Sequence, residues 1–157
     1  MRKTINGSVH TSVSAEGTQW LDLESIAQVE VTSEDPAYPI EAALTLADTA
    51  GWRAGQPGEQ IIRLVFDEPQ TLRHIRLLIV ESAVERMQEF LLSWSPGPGQ
   101  PCREIVRQQY HFSPGGSTRE LENYHVELEG VRILELRITP DRSGGSAPAS
   151  MTLLRVA

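Results

Sequence analysis

The stretch from Trp52 to Ser95 constrains the fold more than any other, because it alternates apolar and polar residues with period two between turn signals. Ile62, Leu64 and Phe66 alternate with Ile61, Arg63 and Val65; Ile75, Leu77 and Ile79 then share one face, and Arg76, Leu78 and Val80 the other. Phe90, Leu92 and Trp94 alternate again after Arg86. Such a pattern marks half-buried antiparallel strands. The segment Asp67-Glu68-Pro69-Gln70 is expected to be a turn between the first two, since proline donates nothing to a ladder. Glu81–Glu85 is expected to loop into the third, and Ser95-Pro96-Gly97 to end it.

The rest of the chain carries the same signature. Residues 4–13 alternate through Ile5, Val9, Thr11 and Val13 and predict a strand in an N-terminal extension (1–26) packed on the domain. Trp20, Leu21 and Leu23 form an apolar anchor, and Ala27, Val29 and Val31 a further strand. Pro36 and Pro39 hold residues 33–39 in a loop. Ile40–Ala47 is the one stretch that suits a short helix, and 48–58 is an irregular loop with three glycines. Strands follow around Ile105–Tyr110, Tyr124–Leu128, Leu134–Ile138 and Met151–Val156, with Gly130 as the bend between the middle two. About nine strands spaced roughly 8–14 residues apart, with almost no helix, predict an all-β antiparallel sandwich of jelly-roll type. No repeat or linker divides residues 1–157, so a single domain is expected.

Charge narrows the partners. The net charge is −7; residues 1–60 hold nine acids against three basic groups, and 61–157 twelve against eleven. An acidic domain without a basic cluster is not built to displace counterions from nucleic acid, and no run approaches the ~20 apolar residues of a membrane span. Cys102 is the only cysteine, so no disulfide forms within the chain. The N-terminus, MRKTINGSVHTSV, has no apolar stretch of signal-peptide length. A cytoplasmic protein is expected. Homo-oligomerisation is possible on general grounds.

The residues Trp52, Gln60, Ile62, Leu64, Phe66, Ile75, Leu77, Arg86, Phe90, Leu92 and Ser95, followed by Phe112 and strands around Val126 and Leu136, stand in an order that resembles the discoidin family, the coagulation-factor C-type domains. The resemblance spans Ala27 to the C-terminus. It implies a galactose-binding domain-like β-sandwich, similar to carbohydrate-binding modules, with a shallow ligand site in the loops at one end. The disulfide common in extracellular members is absent. Sugar-binding members also often hold a structural calcium in the loop before the Trp. Asp48 corresponds to the aspartate of that loop, though Thr49 follows it where the family has glycine.

Catalysis has little support. His10, His74, His111 and His125 are isolated, with no paired spacing for a transition metal. There is no Gly-x-Ser-x-Gly elbow, Cys102 follows Pro101 without an activating neighbour, and no glycine loop precedes a helix to cradle phosphate. With 21 acids, a chance carboxylate pair is uninformative. The expectation is therefore a binding module, not an enzyme, needing no cofactor beyond a possible structural calcium. Its ligand would be a carbohydrate or a protein, with neither nucleic acid nor membrane as partner.

Tyr38, Trp52, Arg53, Arg86, His111 and Phe112 are the candidate ligand-binding residues: aromatic faces stack on sugar C–H faces, while Arg and His bond to hydroxyls. Some have a plainer reading beside them. Trp52 reads more readily as a packing residue beneath the loops and Arg86 as readily as a salt bridge that ties its loop down, while His111-Phe112 is open between the two. The alternative to sugar binding is an intracellular protein-interaction or scaffold module, as some discoidin-like domains are. Arg63, Arg76, Arg107 and Arg137 would then form the partner face, unless they pair with acids such as Glu127 and Glu135 across strands.

Overall fold

In the computed structural model, which describes residues 18–157, the two strands expected on either side of Pro69 are one. β3 runs from Gln60 to Val80, 21 residues without interruption. β6, Arg119–Thr139, is equally long and pairs with it antiparallel along its whole length. The expected turn at 67–70 is instead a bend within β3, and the expected bend at Gly130 lies within one continuous β6, where the β3–β6 register shifts between Val65 and His74. Proline costs a strand one ladder bond, which a bulge tolerates. Gly130 takes φ +74°, open to glycine without strain.

The bends send each strand through both layers. In the first layer, residues 62–66 of β3 pair with β1 (Ala27–Val31) on one side, and residues 60–65 pair with residues 133–138 of β6 on the other. Beyond these lie β4 (Arg86–Ser95) and β5 (Arg103–Phe112). In the second layer, residues 75–80 of β3 pair with residues 119–124 of β6 and with β8, Leu153–Val156. Separately, β2 (Trp52–Pro57) pairs with β7 (Pro148–Met151) as a two-stranded sheet. The segment expected to close one sheet from Met151 onward is thus split between two. Two short helices complete the chain: α1, Leu23–Ile26, within the anchor, and α2, Glu41–Leu44, inside the stretch that suited one. The strand expected over residues 4–13, and the extension through residue 17, lie outside the described residues.

Inward-facing residues of both layers form one core. Ile62, Leu64, Phe66, Ile75, Leu77 and Ile79 of β3 meet Phe90, Leu92 and Trp94 of β4 and Leu134, Leu136 and Ile138 of β6. The outer face of the first layer carries a charge ladder. Arg63 bridges Glu30 at 3.2 Å and Glu135 at 2.7 Å, Arg137 reaches Glu59 at 3.1 Å, and Arg107 reaches Glu89 at 2.8 Å. Three of the four arginines considered as a partner face therefore pair with acids; the fourth, Arg76, lies over the Trp20 ring and bonds Asn123. Such exposed pairs are worth about 0–1 kcal/mol each and specify register more than stability. No helix among the described residues is long and apolar enough to cross a membrane.

Candidate ligand site

One end of the sandwich gathers the loop 33–39, the start of β2, the loop 81–85 and the junction of β7 and β8. The first loop lies along β2 through two backbone bonds, Asp35 N to Arg53 O at 2.8 Å and Arg53 N to Tyr38 O at 3.1 Å. Thr152 N bonds Leu78 O at 2.8 Å and fixes the junction to β3. Gly51, at φ +82°, lets the chain cross tightly over that junction; a Cβ there would run into the Met151 carbonyl and lie 2.6 Å from Thr152 Cα. Between these segments lies a cavity of about 380 Å³, lined by Tyr38, Ala50, Trp52 and Arg53, by Val80–Ala83, and by Ser150–Thr152.

Three of the six sequence-derived candidates meet there. Trp52 forms part of the wall but is only 1% exposed, and its indole Nε1 donates to Ser33 O at 3.0 Å. The exposed Arg53 guanidinium lies over the half-buried Tyr38 ring, its Cζ 5.1 Å from the centroid. Such a contact contributes about 0.5–1 kcal/mol at an exposed position and holds both groups at the cavity mouth.

The other three are placed differently. Arg86 is interior, with a side chain that is 0% exposed. Its Nε donates to Glu81 Oε1 at 2.9 Å, and its Nη1 to Gln88 Oε1 at 2.9 Å and to Pro140 O at 3.0 Å; Nη2 reaches Ser150 Oγ at 3.5 Å. Phe112, fully buried, lies under this guanidinium at 4.7 Å. With its donors engaged in the interior, Arg86 supports the cavity from beneath instead of facing it, and its ion-pair partner is Glu81. His111 sits on the outer face beside the same loop, with Nε2 2.7 Å from Glu85 Oε2, and does not line the cavity.

Glu81 is the charge that Arg86 holds. Burial by itself would raise its pKa. The Arg86 hydrogen bond and the backbone N–H groups of Ala83 and Val84 outweigh that and keep the carboxyl below the usual range. Both carboxylate oxygens are thereby turned into the loop, which they pin. Glu81, Ser82, Ser150 and Thr152 were not among the sequence-derived candidates. Polar residues flanking Met151 in a segment assigned to a strand were the only trace they left.

Beneath this end runs a polar layer between the two sheets. Gln88 Nε2 donates to Glu120 Oε1 at 2.9 Å, and Tyr124 Oη donates to Gln108 Oε1 at 3.3 Å. Glu120 is 2% exposed, and its Oε2 has no partner among the described residues. Burial first, then the neighbouring Glu122, pushes the Glu120 pKa up to about 8 against the opposing pull of Arg86 and Gln88. Two adjacent carboxylates have no hydrogen to share. Protonated, Glu120 can donate to the Glu122 carboxylate, and the pair holds one negative charge instead of two. The same burial, with Glu122 and Glu120 nearby, raises the Tyr124 hydroxyl pKa.

The loop before Trp52 offers a calcium ion few side-chain ligands. Calcium takes 6–8 oxygen ligands, and Asp48 is the only carboxylate in residues 45–51. Thr49 Oγ1 donates to Ala42 O and accepts from Gly51 N at 3.0 Å, so the hydroxyl is already engaged within the loop. Among the described residues there is no group of three or more His, Cys, Asp or Glu placed to hold a metal ion.

No protein-family model matches the sequence, and comparison with curated proteins finds no match. Solved structures do match. A family 32 carbohydrate-binding module from NanJ of C. perfringens, in complex with galactose, aligns with a TM-score of 0.62 over 87% of this chain and 96% of its own, at 11% identity. A family 32 module of AlyQ, in complex with 4,5-unsaturated mannuronic acid, gives 0.60 over 89% and 98%, at 19% identity. Reduced XRCC1, bound to the DNA polymerase β catalytic domain, gives 0.60 over 84% and 96%, at 12% identity. At these identities the likeness establishes the fold, the galactose-binding-like β-sandwich of carbohydrate-binding modules.

Proposed function

We propose that this chain is a non-catalytic carbohydrate-binding module whose ligand occupies the loop-end cavity. The observation that carries this reading is the cavity itself. Its volume falls in the lower part of the roughly 300–1,000 Å³ range of small-ligand sites, and it combines the Tyr38 ring, the Arg53 guanidinium and the hydroxyls of Ser82, Ser150 and Thr152. A ring face for sugar C–H groups beside several hydrogen-bonding groups is the chemistry a saccharide requires. The lining holds one acid, Glu81, already bonded to Arg86, and no histidine. It therefore offers neither a Ser–His pair nor two carboxylates across a glycosidic bond. The modules of NanJ and AlyQ, which share the fold, were solved with galactose and with an unsaturated mannuronic acid.

A glycan array probed with wild type and Tyr38→Ala tests the proposal. Wild type should retain a reproducible set of glycans, and Tyr38→Ala should lose it while melting at the same temperature. Hits that survive the substitution would move the site elsewhere.

A protein-interaction role is the second reading, favoured by one feature. On the outer face of the second layer, Val80 is 42% and Leu121 44% exposed, with Leu78 paired to Leu121 between them. A blank array from folded protein would shift the weight to that face.

A further inference from the structure

The charges around the loop-end cavity differ in how they are engaged. Glu81 is neutralised inside its own loop by Arg86 and two backbone amides. Asp35, beside Tyr38, turns Oδ1 back to the Ala37 amide at 2.9 Å. Arg53 is the exception. Among the described residues its guanidinium has no ion pair and no side-chain hydrogen bond; it lies against the Tyr38 ring, which occupies a face and leaves the edge donors open. Arg63, Arg107 and Arg137 on the outer face of the first layer, by contrast, are paired with acids. A protein of net charge −7 thus presents an uncompensated guanidinium at the mouth of a hydroxyl-rimmed cavity.

A guanidinium edge is a planar fork matched to a carboxylate, and the resulting bonds are charge-assisted and directional. The hydroxyls of Ser82, Ser150 and Thr152 both donate and accept, as sugar hydroxyls do. We propose that the cavity selects a carboxylate-bearing sugar, a hexuronate unit of a glycan. The carboxylate would sit on Arg53, the pyranose ring against Tyr38, and the hydroxyls toward Ser82 and Ser150. This inference rests on the carbohydrate reading and specifies its ligand class.

The test is calorimetric titration of the full chain with oligogalacturonate and oligomannuronate, with the same oligosaccharides after reduction of their carboxyl groups to neutral hexoses, and with sulfated neutral oligosaccharides. Wild type should bind at least one uronate series about 10- to 100-fold more tightly than its reduced form, the range expected for a hydrogen bond to a charged group. That preference should shrink as salt is raised. Arg53→Gln should abolish the preference and leave weak neutral-sugar binding intact, while Arg53→Lys should retain part of it. Circular dichroism would confirm that both variants are folded.

Equal binding of acidic and reduced sugars, unchanged by Arg53→Gln, would overturn the uronate assignment and leave the carbohydrate reading standing. Tighter binding of the sulfated series than of either uronate would also overturn it. No binding of any saccharide by folded wild type would overturn the carbohydrate reading itself.

Discussion

Glu120 shows how far one side chain depends on its surroundings. Extending the alternation of Tyr124, Val126 and Leu128 backward places Glu122 and Glu120 on the same inward face, so parity alone predicts two acids between the sheets. What parity does not contain is the opposite wall, where Gln88 and Arg86 of β4 meet them. With a folded-state pKa of about 8 against an ordinary 4.5, Glu120 keeps in the native state a proton that the unfolded chain releases. Between those values the native state binds more protons, so stability falls as pH rises, by up to about 1.4 kcal/mol per pH unit for one proton. The fall levels off above pH 8. Glu81 acts in the opposite sense. Its lowered pKa contributes stability that is present above the ordinary value and lost as pH drops through the acid range. Glu120→Gln keeps an acceptor for Gln88 and offers Glu122 an amide N–H in place of the acid proton. Thermal melts across the pH range should show a shallower decline for this variant than for wild type, and a higher melting temperature at pH 8. Parallel declines would show that the proton is not held at Glu120.

At the scale of elements, residue alternation located nearly every strand core, and the errors fall where backbone geometry overrides residue type. Asp67-Glu68-Pro69-Gln70 has the composition of a turn, yet β3 continues through it because β6 bends at the same level and a bulge absorbs the missing donor. Hydrophobic parity is the same for two short strands as for one bent strand, so only the pairing partner distinguishes them. The bend depends on Gly130. A non-glycine residue at φ +74° pays roughly 1–2 kcal/mol, and nothing else stands within 4 Å of a Cβ there. Gly130→Ala should therefore lower the unfolding free energy by that amount, read as a lower urea midpoint with an unchanged denaturant slope. Gly116→Ala, at a loop tip without positive φ and with Ser113 Oγ 3.9 Å away, should be near neutral. A Gly130→Ala midpoint equal to that of Gly116→Ala would remove the bend from the features that hold the sandwich together.

Across the whole molecule, the site is made by topology from pieces that the sequence keeps apart. Trp52 and Arg53 were recognisable as a ring and a cation in a glycine-rich loop, and Tyr38 as a ring between prolines. Ser82 and Ser150–Thr152 looked like a linker and a closing strand, because their role comes from the loop ends they reach. Arg86 was visible as a cation entering a strand, but its burial under the cavity follows from Phe112 and Pro140, which converge on it from β5 and from the end of β6. The central claim is that saccharide enters between these loops. It is tested most directly by titrating ¹⁵N-labelled protein with a glycan that it retains on an array and following the amide resonances. Shifts concentrated at residues 38, 50–53, 81–83 and 150–152, with the charged outer face of the first layer silent, are the result expected. Shifts centred on Leu78 and Leu121, or on the 95–102 loop at the opposite end, would contradict a loop-end saccharide site.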